Sequence, residues 1–294
     1  DLSAGTLYAA RWNQTSDQGG GAANLSWYKL GKASDAEIRA IIDSGVTFNS
    51  IWGAVLPVTD ASGTKTCNAG YTRIRAGSTS DECLMLKPGM EKAAAFLETR
   101  RYAAYLGATT EFTKMEAIAS NARDKKAYMA MSRIESSMKS ETAAPADHIK
   151  LPENKAGATY TLELAGSQKT ANGGEIINSD YVATRMYVEA ALLGKPISTD
   201  AYGNTADVNT IANTDNVFFS EKMRTLFIGE DSGMHVNNYV WAYNVDTRKL
   251  TRMLSSAAGA ENTGLQILDN LNGHAYIMSN NQHWGDLPGS VPAS

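Results

Sequence analysis

Histidine, cysteine and proline are scarce in this 294-residue chain, with four, two and seven copies. No Cys-x-x-Cys and no pair of histidines at ligand spacing accompanies the two cysteines, which excludes a zinc finger or ribbon. Positive charge is not in excess: 27 Lys and Arg face 31 Asp and Glu, a formal net charge of −4. A general nucleic-acid binder would show a basic patch, so that class is set aside. No apolar run approaches the roughly 18 residues that a membrane-spanning helix needs. Neither a P-loop, a dinucleotide-binding glycine pattern nor a nucleophile elbow occurs. No secretory leader is visible, and Asp1 is not an initiating methionine, so the chain reads as processed, trimmed or starting internally.

What remains is an ordinary globular composition, 43% hydrophobic and 20% charged. It can bury a core, and the length suits one large domain or two small ones. Cys67 and Cys83 bracket a Gly/Ser/Thr-rich loop, 68–82. A disulfide closing it would stabilise the fold by roughly 3 kcal/mol in the chain-entropy model. It would also point to an exported protein. Free thiols or a metal-bound thiolate are the alternatives; the disulfide is favoured because the loop has little core of its own.

The central stretch is 226–243. Leu226-Phe-Ile-Gly drives into Glu230 and Asp231, Ser232-Gly233 turns the chain, and His235, Asn237 and Asn238 precede a new strand at Tyr239. A buried strand tipped with acids is what hard cations or phosphate chemistry need. A polar loop with a capping acid is the plain alternative.

Around that stretch the pattern alternates between strands and turns. Residues 5–12 and 25–30 read as a hairpin with a long Gly-rich loop. Ser34 and Glu37 form a capping box for a helix ending at Gly45, and a second helix runs from Pro88 to Gly107. Residues 127–132 and 159–164 read as strands, 141–157 as an inserted loop, and 179–194 fits either helix or strand. Hairpins follow at 240–254 and 265–279, the second turning at Asn272-Gly273. The tail from 280 reads as loop.

Three segments share one grammar of polar turn, apolar strand and polar end: 124–133, 222–231 and 272–280. Their aromatics Tyr128, Phe227 and Tyr276 are 99 and then 49 positions apart. A period near fifty with several strands per unit is what propeller blades show. Polar residues at matching strand ends would then converge on a central channel.

At 218–264 the chain resembles the PhoX-type secreted alkaline phosphatases and their propeller relatives. The resemblance rests on Leu226-Phe-Ile-Gly-Glu-Asp231, His235-x-Asn-Asn238, Val240-Trp-Ala-Tyr243, Leu250-Thr-Arg252 and Gly259-Ala-Glu-Asn-Thr-Gly264. Residues 82–98, Lys114-Met-Glu116 with Asn121, and Gly5-Thr-Leu-Tyr8 extend it over most of the chain. It implies a mainly β fold, part of a six-bladed-type β-propeller spanning 1–294, with helical insertions near 34–45 and 87–107. It also implies export, to the periplasm or outside the cell, and hydrolysis of phosphomonoesters at a site holding calcium and iron. In such a site Lys114 would meet phosphate, while Glu116, Glu230, Asp231 and Glu261 are the candidate metal ligands.

Two features depart from the family. Its iron-binding Thr-Cys-Glu-Glu sequence is absent, and Cys83 sits in Asp-Glu-Cys-Leu. Lys114 stands where arginine is common, and lysine meets phosphate as a point charge without a forked contact. The chain reads as the C-terminal half of a longer propeller, whose open sheet edges an upstream half or a partner chain would cover. The expectation is therefore a metal-dependent phosphomonoester hydrolase acting with that half. The alternative is a non-catalytic, calcium-stabilised propeller module with a structural or assembly role. Arg133 is either a second phosphate contact or the partner of a surface salt bridge. Glu135 is a further candidate acid, Asn237 and Asn238 could lend oxygens to calcium, and His235 is either a ligand or a structural hydrogen-bonding group. Trp241, Tyr243, Tyr128 and Tyr276 are expected in the sheet core.

Overall fold

The computed structural model describes residues 3–77 and 80–285. The fold is mainly β. Strands β1 (Ala4–Ser16) and β2 (Ala22–Ser34) form the expected hairpin, closed by glycines at 19–21 with positive φ. Helices α1 (Asp35–Asp43) and α2 (Phe48–Ile51) follow. The short strands β3 (Trp52–Val55), β4 (Val58–Thr59), β5 (Lys65–Thr66), β6 (Thr72–Ile74) and β7 (Glu82–Leu86) make two small sheets. Ser34 and Glu37 cap α1 reciprocally, as their spacing predicts. The second expected helix is two, α3 (Glu91–Leu97) and α4 (Thr99–Leu106), because Glu98 leaves helical geometry at φ −128°, ψ 41°. Gly107, at φ 93°, ends α4 in a left-handed turn that a side chain would strain. These helices bury Ala94, Ala95 and Tyr102 against Leu30, Trp52 and Leu84. Cys67 and Cys83 are paired in a disulfide.

The rest of the chain is a succession of antiparallel meanders. Strands β8 (Met115–Asn121), β9 (Lys126–Met131), β10 (Ala158–Ala165) and β11 (Val182–Leu193) run side by side. The segment 179–194, open to either reading from sequence, is therefore strand over Val182–Leu193. Three pairs, Arg185–Asn24, Met186–Ala23 and Tyr187–Ala22, join β11 to β2 and make one six-stranded sheet. Strands β12 (Thr214–Ser220), β13 (Thr225–Glu230), β14 (Asn237–Asn244) and β15 (Lys249–Ala258) form a four-stranded sheet. Strands β16 (Glu261–Leu271) and β17 (His274–Gln282) form a hairpin around Asn272 and Gly273, both at positive φ. The loop expected from 280 begins only after Gln282, and residues 286–294 lie outside the described ones.

The three repeated segments occupy the second strand of successive meanders, β9, β13 and β17. Their aromatics hold equivalent places: Ala119 pairs Tyr128, Phe218 pairs Phe227, and Leu268 pairs Tyr276. The units pack face to face in chain order. Tyr128 and Ala130 of the first meet Phe219, Leu226, Ile228 and Trp241 of the second. Phe227 and Val240, on its other face, meet Leu265 and Ile267 of the hairpin. Sandwiched on both sides, β13 needs the continuous apolar run Leu226-Phe-Ile rather than alternation. Gly229 is required at this second contact: a Cβ there would lie 2.4 Å from the Asn262 carbonyl oxygen. Tyr276 does not join the core. It is 45% exposed, because β17 has no neighbouring strand beyond it among the described residues. No ring of sheets closes among those residues.

The segment 141–157, expected as a free loop, is instead anchored. Ile149 and Leu151 are buried beside Trp12 and Tyr160. The buried Glu111 carboxylate accepts the backbone N–H groups of His148 and Ile149 at 3.1 and 2.7 Å. Burial holds the His148 imidazole down at about 4, with Arg11 adding to the effect. A histidine that is harder to protonate when folded stabilises fully above its unfolded value, near 6.5. That contribution is lost as pH falls toward 4. Urea titrations across this window should show a loss on the order of 3 kcal/mol. The slope should flatten in His148→Gln; an unchanged slope would show that the imidazole does not titrate in this environment. Reducing the disulfide, or replacing Cys83 by Ser, should cost about 3 kcal/mol in the same assay.

Candidate functional site

The first strands of the three units, β8, β12 and β16, all begin at one rim of the stack. Buried polar side chains stitch that rim together. Asn213 donates to the carbonyls of Ser132 and Lys155 at 2.8 and 2.7 Å. Ser132 donates to the Thr214 carbonyl at 2.9 Å, and Thr214 to that of Ala158 at 3.0 Å. Further along, the Asn216 side chain accepts from Gly264 N at 3.0 Å, joining β12 to β16. Small polar residues suit this place because each satisfies a backbone group that a strand end leaves open.

Each strand start carries charge. Lys114 and Glu116 stand at β8, Asp215 at β12 and Glu261 at β16, and Asp231 follows the end of β13. Lys114 adopts a left-handed backbone, φ 49°, with its carbonyl held by Ser132 N at 3.0 Å. Its ammonium lies 3.2 Å from Glu116 Oε1 and 3.8 Å from Asp231 Oδ2. These contacts raise the lysine pKa, with Glu116 the largest cause and Asp231 and Asp215 contributing. The Asp215 carboxyl is pushed up by burial first and then by Glu116 and Asp231, against the opposing pull of its Asn216 hydrogen bond and Lys114. The Glu261 carboxyl is pushed up by burial, then by a hydrogen bond and charge repulsion with Asp231. His283 Nε2 stands 3.9 Å from Glu261 Oε1. Glu116, Asp215 and Asp231 therefore act on the Lys114 ammonium, Glu261 faces Asp231 and Asp215, and the Asp215 and Glu261 carboxyls are pushed up.

The structure thus brings together Lys114, Glu116, Asp231 and Glu261, four of the five residues singled out from sequence. Asp215 was missed, because 201–216 reads as polar loop. The repeat spacing could have found it: Asp215 is 99 positions after Glu116, the separation of Tyr128 and Phe227.

Glu230 is set apart from the other four. It is fully buried, and both its oxygens are occupied. Oε1 accepts from Ala212 N at 2.9 Å and the Trp241 indole at 2.7 Å. Oε2 accepts from Tyr239 N at 2.9 Å and pairs with His235 Nδ1 at 3.0 Å. His235 also contacts the Asp207 carbonyl through Nε2 at 3.3 Å, so its role is structural. Asn238 clamps Ser232 through both side-chain atoms, and the Asn237 amide donates to the Ser256 carbonyl. Arg133 stands 3.7 Å from Glu135.

The charge of the rim suits a hard cation, since three carboxyls act on the one Lys114 ammonium and a fourth, Glu261, stands against Asp231. Its geometry does not: among the described residues no three His, Cys, Asp or Glu side chains stand close enough to hold a metal ion. The Lys114 ammonium lies between two of the acids. Both cysteines are in the disulfide, so neither is a thiolate ligand.

No protein-family model and no curated protein matches the chain. Among solved structures it resembles Pseudomonas fluorescens PhoX in complex with vanadate, a transition-state analogue, at 18% identity and a TM-score of 0.46. The likeness covers 89% of this chain and 37% of that one. A similarity of this size says nothing by itself about activity.

Glu230→Ala should lower stability by about 3–5 kcal/mol, since it strands four buried donors. Glu230→Gln should lower it less, and neither change should alter calcium affinity in calorimetry. A calcium-binding defect at preserved stability would make Glu230 a ligand instead.

Proposed function

We propose that this rim is part of a hydrolytic centre for phosphomonoesters, built on a partial β-propeller. An upstream half of the same protein or a partner chain completes it. The observation that carries the reading is the convergence of Lys114, Glu116, Asp215, Asp231 and Glu261 from three successive β units. A lone lysine amid acids is a point charge suited to a phosphate oxygen. Glu261, hydrogen-bonded to Asp231 and half-buried, is the group suited to hold a proton for a leaving oxygen. The excess of carboxyls favours a cation by charge only, because among the described residues no three of them stand close enough to hold one; calcium and iron are named by family resemblance alone. No step is assigned to a metal. The Cys67–Cys83 disulfide supports export to an oxidising compartment.

A need for further chain is supported by the β16–β17 hairpin, which leaves Leu268, Leu271, Tyr276 and Met278 between 44% and 49% exposed. A second reading, a non-catalytic module stabilised by calcium, is favoured by the engagement of Lys114 with two acids.

Turnover of p-nitrophenyl phosphate, with calcium and iron content measured in parallel, separates the two. The hydrolytic reading expects Glu116→Ala, Glu261→Ala and Lys114→Ala each to lower kcat/KM by about 100-fold or more. Bound calcium without turnover would favour the module, and activity indifferent to all three changes would remove this rim as the site.

A further inference from the structure

A cleft of about 510 Å³ is lined by two cations, Arg133 and Lys155, by their acidic neighbours Glu135 and Glu153, and by the apolar Pro196, Ile197 and Met234. Backbone hydrogen bonds connect its lining segments to those of the site. Ser132 N holds the Lys114 carbonyl at 3.0 Å, and Arg133 is the next residue. Asp231 N donates to the Asn213 carbonyl at 3.1 Å; Asn213 lines the cleft, and Met234 follows three residues after Asp231. These backbone contacts tie the cleft to the segments that carry Lys114 and Asp231.

The floor is preformed. Asn213 is 2% exposed and makes side-chain hydrogen bonds to Ser132, Lys155 and Ser232. A fully bonded, buried side chain joining three segments fixes the distance between the walls before any ligand arrives. The walls differ in chemistry. Pro196, Ile197 and Met234 present apolar surface. Arg133 lies 3.7 Å from Glu135 and Lys155 lies 3.8 Å from Glu153, both beyond hydrogen-bond distance. Glu153 is held more closely by Lys139, at 3.0 Å. Both cations keep donors for a ligand, with side chains 47% and 61% exposed.

We propose that this cleft receives the body of the substrate and that Arg133 and Lys155 select phosphomonoesters carrying a second phosphate on an apolar or planar body. The proposal rests on Lys114 as the contact for the first phosphate. A guanidinium meets a phosphate through two parallel N–H groups, and a lysine adds a point charge. The apolar wall favours a ring system over a short polyol.

The test compares adenosine 3′,5′-bisphosphate with adenosine 5′-monophosphate, which share one body and differ by the second phosphate. Wild-type protein should prefer the bisphosphate by about tenfold in kcat/KM, as charge-assisted hydrogen bonds at a partly exposed site allow. Arg133→Gln and Lys155→Gln should each reduce that preference to about threefold or less. Turnover of both esters with no preference, or equal losses on both, would overturn the cleft assignment while leaving the hydrolytic reading intact. Calorimetric binding supplies the converse arm. Absence of turnover, together with bisphosphate binding that Arg133→Gln weakens, would keep the cleft and sink the hydrolytic reading. Bisphosphate binding that neither substitution changes would sink the cleft.

Discussion

The charged rim depends on one buried carboxylate. Glu230 ends β13 inside the protein, where an unpaired carboxylate would be costly, and four donors meet it. Those donors come from the segment before β12, from the loop after β13, and from the start and middle of β14. One side chain thereby fixes where three segments stand. Asp231 is its covalent neighbour, so its position at the rim follows from the anchoring of Glu230. The adjacent acids divide the work: the one inside holds the frame, and the one outside faces Lys114.

The stacking of the β units does the rest. Apolar faces set the units against one another, and the close approach at Gly229 brings β16 onto β13. Polar stitches then define both rims. At the site rim they are Ser132, Asn213, Thr214 and Asn216. At the opposite rim Arg224 joins Asp124, Asp246 and Glu221 from three turns. Because the first strands β8, β12 and β16 begin on the same side, acids at their starts are forced into one another's fields. Burial and mutual repulsion then push the Glu261 and Asp215 carboxyls up. The rim is electrostatically poised, whichever ligand relieves it.

Much of this arrangement was legible in the sequence because it is periodic. The hairpin at 272–273, the strands at 127–132 and 159–164, and the spacing of Tyr128, Phe227 and Tyr276 all reflect local rules of turn and alternation. What escaped is non-local. Glu230 and Asp231 are chemically alike neighbours, and only the fold shows that one turns inward to a nest of donors. Asp215 sits in a stretch with loop composition, so its place at a strand start was hidden although its spacing from Glu116 repeats that of the aromatics. Ile149 and Leu151 lie in an Ala/Pro/Lys-rich segment whose burial depends on Trp12, more than a hundred residues earlier. Tyr276 has the pattern of a core residue, but among the described residues no strand beyond β17 covers it.

The rim can act as one site only if acids from separate β units face one another. The most direct measurement is the titration of the Glu261 side-chain carboxyl by ¹³C NMR in the wild-type protein and in Asp231→Asn. The expected result is a pKa raised above the ordinary glutamate value of 4.5 that moves back toward it once Asp231 loses its charge. An ordinary value in the wild type, or one indifferent to Asp231, would mean that the two carboxyls do not meet and that the rim is not a site.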